Sequence, residues 1–364
     1  MTPPESASSI PSAGAVDHAW LREHLGWSLT GREAVTVRSI SLSGGVMASV
    51  HQVRCAGRSF ILKGPPDETT AWGNLAADTG LIEREVMAYR RLQARGPTAP
   101  KIAPECYWST LEAAGRGALA LEDLGPPTAV APTMAAGLGE EQAVAAVRCL
   151  ALLHAGSAAA GSDPLTPPCP WLYSAASPGL RAAVRLGLDD LPRVMAQCWP
   201  GAVPDTRLRR VLAIDVGATL VRSHVGSRLT AVCHGDTWVG NILFSSRPEA
   251  AEPLTAHLVD WQFTMWGNPL SDLALLLWSS LTPESRRAWQ EELLRLYHTT
   301  LEAHGDVEYP LNACRDDLTR ALPGAALVAL ATLETYAAGM SPAQLARLRP
   351  RVLAAIDCAA VAST

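Results

Sequence analysis

"CHGDTWVGNILF", residues 233–244, is the stretch on which the reading of this chain turns. Apolar residues precede it and close it, which suits two short strands, so the residues from His234 to Asn241 read as a loop held at both ends. Inside that loop Asp236 stands five positions before Asn241. Farther on, "HLVDWQF" reads as another apolar strand that ends in a carboxylate, Asp260. Two carboxylates and a carboxamide are thereby expected at one edge.

Such a set is what phosphoryl transfer requires. One carboxylate orients and deprotonates a hydroxyl, while an amide oxygen and a second carboxylate hold Mg²⁺ on nucleotide phosphates. The interval from Asp236 to Asn241 equals that of a kinase catalytic loop. The upstream order agrees. Residues 34–63 alternate β-branched and polar side chains around Gly44–Gly45 and a second turn at Gly57, which predicts three antiparallel strands with Lys63 closing the third. Residues 64–80, "GPPDETTAWGNLAADTG", read as a loop, and "LIEREVMAYRRLQAR" as a helix carrying Glu85. A glycine turn admits backbone N–H groups to phosphate, here from Gly45 to Ser49, and a strand lysine held by a helix glutamate can bridge the phosphates. Lys63 and Lys101 are the only lysines among 30 basic residues. In a composition that uses Arg wherever charge alone suffices, a retained Lys is a candidate for a chemical role; Lys63, at its strand end, is read as functional and Lys101 as solvated surface.

The chain resembles the aminoglycoside phosphotransferase and choline kinase superfamily of protein-kinase-like enzymes, and within it most the ecdysteroid kinase-like group. The resemblance is carried by "CHGDTWVGNILF", "LVDWQF", "GNPLSDLALLL" and "EREVMAYRRL", with Tyr89 four residues after Glu85, and it covers about residues 34–340. It implies an α+β, bilobal protein-kinase-like fold: an N-terminal lobe of antiparallel sheet with one main helix, a larger and mainly helical C-terminal lobe, and a cleft between them. It also implies an ATP- and Mg²⁺-dependent phosphotransferase, with GTP as the other nucleotide, acting on a hydroxyl of a small molecule.

Residue by residue, Asp236 is similar to the catalytic base, Asn241 and Asp260 to the metal ligands, and Lys63 with Glu85 to the nucleotide ion pair. Asp272 resembles the buried Asp that braces the catalytic loop, and Glu122 to Leu124 the hinge whose backbone reads adenine. His234 is expected to pack and hydrogen-bond the loop backbone. Trp238 stands where aminoglycoside kinases usually carry His or another polar residue, and "GNP" replaces their "GDP". Trp238 and Trp261, beside the base and the metal aspartate, are expected to meet the acceptor; indole faces favour an uncharged or weakly charged hydroxylated ring compound, such as a steroid, terpenoid, polyketide, macrolide or sugar-bearing natural product, with a quaternary ammonium alcohol as the alternative through cation–π contacts.

Near residue 125 strand signals give way to Ala/Leu-rich helical periodicity, so the expected division is a loose tail at 1–15, a nucleotide-binding lobe at 16–125 and a catalytic and acceptor-binding lobe at 126–364. A net charge of −5, from 30 basic and 35 acidic residues, argues against a nucleic-acid partner. The eight cysteines never form CxxC, which indicates neither a disulfide framework nor a zinc knuckle. No signal peptide and no membrane-spanning run is read, and the expected location is the cytoplasm.

Two other readings stand beside this one. His234, Asp236, His257 and Asp260 have spacing that permits a hydrolytic metal centre, although that leaves Lys63 and the glycine turn unexplained. The other is a pseudokinase acting as a binding module, against which every expected catalytic position is filled.

Overall fold

The computed structural model describes residues 15–40, 47–65, 71–112, 116–125, 129–246, 254–337 and 339–361. Gly44, Gly45 and nearly all of the expected tail lie outside the described residues. The chain divides into two compact units, one of Met1–Ala99 with Pro104–Leu124 and one of Pro100–Ala103 with Gly125–Thr364.

In the first unit, α1 (His18–Leu25) precedes β1 (Thr36–Ser39), β2 (Ser49–Cys55) and β3 (Arg58–Gly64); then come α2 (Ala71–Thr79), α3 (Leu81–Ala94), β4 (Cys106–Leu111) and β5 (Gly117–Glu122). The strands form one antiparallel sheet in the order β1-β2-β3-β5-β4. Side chains alternate across such a sheet. Phe60 and Leu62 join Leu21, Trp27 and Val53 in a core that α1 covers, with Trp20 stacked on Phe60. Lys63, one position on from Leu62, therefore points to the opposite face, the side of α3. That helix buries Leu81, Glu85, Val86, Ala88 and Tyr89, one face at helical spacing. Residues 71–79, expected as loop, are helical instead: α2 carries only a thin apolar face, and Gly80 in the left-handed region separates it from α3.

The second unit begins with β6 (Ala129–Val130), α4 (Glu140–Ala155), β7 (Ala159–Ala160), α5 (Pro178–Cys198), α6 (Asp205–Leu212) and α7 (Val216–His224). There follow β8 (Leu229–Cys233), β9 (Ile242–Ser246), β10 (Leu254–Leu258) and β11 (Met265–Gly267), and then α8 (Leu270–Ser280), α9 (Pro283–His304), α10 (Leu311–Ala331), α11 (Glu334–Ala337) and α12 (Pro342–Val361). Two three-stranded sheets, β10-β9-β6 and β11-β8-β7, carry the loop after β8. Mostly buried and predominantly apolar, α8 packs against α10, and α10 in turn packs against α5, α7 and α12. The α+β expectation is met, and no helix among the described residues is long and apolar enough to cross a membrane.

The α5–α10 contact depends on one missing methyl. A Cβ built on Gly187 would lie 2.0 Å from the backbone oxygen of Ala331. Gly187→Ala is therefore expected to force the helices apart and lower stability by about 1–3 kcal/mol, measured by chemical denaturation. An unchanged midpoint would show that the helices can separate freely.

Candidate active site

In the first unit Lys63 and Glu85 form a buried ion pair. The Lys63 Nζ lies 3.0 Å from Glu85 Oε1 and 2.7 Å from Oε2, with both side chains almost wholly out of solvent. The pair arises because β3 turns Lys63 toward α3 and because Glu85 lies on the buried face of that helix. Ser49 opens β2 opposite Gly64, and its N–H donates to Pro65 O. Glu122 ends β5 and its carboxylate accepts from Glu105 N–H, Asp123 accepts from Gln52, and Leu124 is buried.

In the second unit the loop between β8 and β9 is held by bonds from three directions. Asp272, in the first turn of α8, accepts the N–H of His234 on Oδ2 at 2.7 Å and that of Gly235 on Oδ1 at 2.9 Å, and Thr237 Oγ1 donates to Asp272 O. His154 Nε2 meets the same Oδ2 at 3.1 Å, and its Nδ1 meets Tyr297 OH at 2.9 Å. Burial works to raise the Asp272 carboxyl pKa. The His154 hydrogen bond first, with the nearby His154 and His234 rings and the Gly235 N–H, outweighs burial and leaves it below its ordinary value. Gly235 is required here: its φ is +83°, and a Cβ would fall 2.1 Å from Phe263 O.

His234 uses both ring nitrogens on the backbone, Nε2 on Val259 O at 3.0 Å and Nδ1 as acceptor of Asp236 N–H at 3.3 Å. Val259 N–H donates to Asn241 O, so the end of β10 is tied to both ends of the loop just before Asp260. Asp260 itself sits at φ +64°, a left-handed conformation uncommon outside glycine and frequent at functional sites.

Asn241 Nδ2 donates to Asp236 O at 3.0 Å and to Asp236 Oδ2 at 2.8 Å. These bonds fix the amide orientation and leave Oδ1 as the atom able to face a cation. Burial first, and the charge of Asp260 second, push the Asp236 carboxyl up to about 7, against the opposing bonds from Trp238 and Asn241. A hard divalent cation suits this set, since an amide oxygen and a carboxylate are its preferred donors and its charge offsets the repulsion between the aspartates.

The structure corrects the expectation for Trp261. Its indole is 1 % exposed, donates to Leu258 O and packs on His234 at 4.7 Å, so it belongs to the core and not to an acceptor surface. Trp238 remains half-buried beside Asp236. The hydrolytic metal centre loses His234, whose two ring nitrogens are committed as described, and His257 Nε2 is bonded to Ser245 Oγ at 2.8 Å. Another buried trio, His154, Cys233 and Asp272, has donor atoms within 4.8 Å of one another, but His154 and Asp272 already spend theirs on the brace.

Asn268 of "GNP" is also explained. Its Nδ2 donates to Ser223 O and Asp317 O while Oδ1 accepts from Leu270 N–H, a combination an aspartate lacks the donors to make. Sequence reasoning passed over Tyr297 and Tyr336. Each lies far downstream on a helix, and in sequence each looks like any other apolar-face aromatic.

A family model described as the ecdysteroid kinase-like family matches residues 46–307, more than half of the chain. The chain belongs to the ecdysteroid kinase-like family. Among solved structures this family member is similar to a Plasmodium vivax ethanolamine kinase at 12% identity and TM-score 0.48, covering 92% of this chain and 86% of the other. It is similar also to a microcompartment-associated aminopropanol kinase at 15% identity and TM-score 0.45, covering 94% and 93%. A third likeness is to an aminoglycoside-3'-phosphotransferase of type VIII, with 21% identity, TM-score 0.42 and coverage of 80% and 93%. No match was found among curated proteins.

Proposed function

We propose that this ecdysteroid kinase-like protein transfers the terminal phosphoryl group of ATP, or of GTP, to a hydroxyl of a small molecule with the help of Mg²⁺. The observation that carries the reading is Asp236 bonded through Oδ2 to Asn241, with the Asp260 charge close enough to raise its pKa. Asp236 takes the acceptor's proton as the oxygen–phosphorus bond forms and the bond to the leaving nucleotide breaks. Asn241 Oδ1 and Asp260 would hold Mg²⁺, which when bound neutralises charge on the phosphates. Lys63, fixed by Glu85, holds nucleotide phosphate, with Gly45 as a backbone donor, and Glu122 to Leu124 are the adenine-reading segment; the Ser49 N–H is spent on Pro65 O and leaves that role to the glycine turn. The half-buried indole of Trp238 supports an uncharged hydroxylated ring compound as the acceptor class.

The test is a nucleotide-consumption screen against hydroxylated metabolites and antibiotics, with mass spectrometry for the gain of one phosphoryl group. Phosphorylation of a ring alcohol is the expected result. Hydrolysis dependent on bound zinc, or nucleotide binding without transfer to any compound, would overturn the reading.

Lys63→Arg gives a second check. The planar guanidinium cannot occupy the site of a compact ammonium against Glu85, so activity is expected to fall at least about tenfold, or about 1.4 kcal/mol. A wild-type rate in steady-state assays would remove Lys63 from the nucleotide site.

A further inference from the structure

Trp238 makes two contacts that its place beside the base does not by itself require. Its Nε1–H donates to Asp236 Oδ2 at 3.3 Å, the same oxygen that accepts from Asn241 Nδ2 at 2.8 Å. Its ring also stacks on Tyr336 of α11, with centroids 5.4 Å apart and planes 29° from parallel. Gly240 makes the space for the indole: a Cβ there would meet the ring at 2.2 Å. The indole is thus confined by Gly240 and Tyr336 with its N–H directed at the carboxylate.

We propose that Trp238 is a positioning residue for the base: with Asn241 it ties down Oδ2 of Asp236, so that Oδ1 is the oxygen presented to the acceptor hydroxyl. This rests on the phosphotransferase reading. The terminal torsion of an aspartate is broad, and a single donor to one oxygen leaves the carboxylate plane free to turn. A second donor on the same oxygen, even at the longer 3.3 Å, limits that freedom. Asn241 comes from the far end of the loop, five residues away, and Trp238 from two residues away, so the two donors brace the carboxylate from separate anchor points. This role needs the indole N–H, whereas a wall for the acceptor would need only the ring.

Trp238→Phe separates the two, because phenylalanine keeps an aromatic ring on Tyr336 and loses the donor. The rate is measured with saturating MgATP and water as acceptor, and again with the first alcohol found to be phosphorylated. The expected result is a fall in kcat of about tenfold with acceptor KM within about twofold. Gly240→Ala, which keeps the indole but fills its place, is expected to reproduce the fall in kcat. In protein labelled with ¹⁵N-tryptophan, the Trp238 indole resonance, assigned by its loss in Trp238→Phe, is expected to move more in Asp236→Ala than any other of the eleven. An unmoved resonance, or a raised KM at unchanged kcat, overturns the positioning role and leaves the phosphotransferase reading standing. A wild-type protein with no transfer from MgATP to any acceptor overturns the phosphotransferase reading and the positioning role with it.

Discussion

Asp236→Ala is expected to lower phosphoryl transfer by about 10²–10⁴-fold, the usual contribution of a positioned general base, while nucleotide still binds. The side chain is held by Asn241 and Trp238, and if it is the proposed base its removal takes away the proton's destination and leaves the proposed metal donors, Asn241 Oδ1 and Asp260, in place. Asp260→Ala is expected to behave differently, losing transfer and Mg²⁺-dependent nucleotide affinity together. Calorimetry with a non-hydrolysable ATP analogue, with and without Mg²⁺, reads the two variants apart. If Asp236→Ala lost the nucleotide and Asp260→Ala retained it in the presence of metal, the roles would be exchanged.

Asp272→Ala carries the largest expected cost in stability, about 3–5 kcal/mol, because it leaves several buried donors unpaired at about 1–3 kcal/mol each. The substitution orphans the N–H groups of His234 and Gly235 and the Nε2 of His154, all of them at the root of the loop that carries Asp236. Chemical denaturation measures the loss, and transfer activity should fall with it because the loop is no longer fixed. The pH dependence has a defined sign. The folded pKa of Asp272 lies below its ordinary value of 3.8, so its contribution is fully present above that value and is lost as pH falls through the lowered folded pKa. Asp272→Ala should therefore flatten the acid limb of the stability profile. A variant as stable as wild type, with the acid limb intact, would mean that the brace contributes nothing.

Tyr336 and His154 show where the sequence stopped being informative. Tyr336 stacks on Trp238 from 98 positions downstream, and His154 reaches Asp272 from 118 positions upstream. Both sit at helix positions whose local periodicity marks them only as inward-facing, and no local pattern says what an inward-facing side chain will meet. Trp261 failed for a related reason. Adjacency to Asp260 suggested an acceptor contact, but the Trp261 indole is buried against His234 and donates to Leu258 O. The helical state of residues 71–79 was hidden by glycine and polar residues that read as loop.

What the sequence by itself determined is the part encoded at short range. The five-residue interval from Asp236 to Asn241 brings the amide to the carboxylate within one loop, and the alternation along β3 with the helical spacing in α3 puts Lys63 and Glu85 on facing sides. The tertiary structure alone decided which partners brace that loop and which tryptophan stays half-buried beside Asp236. Those outcomes depend on packing between segments far apart in the chain, where each side chain's environment is set by its neighbours in space and not by its neighbours in sequence.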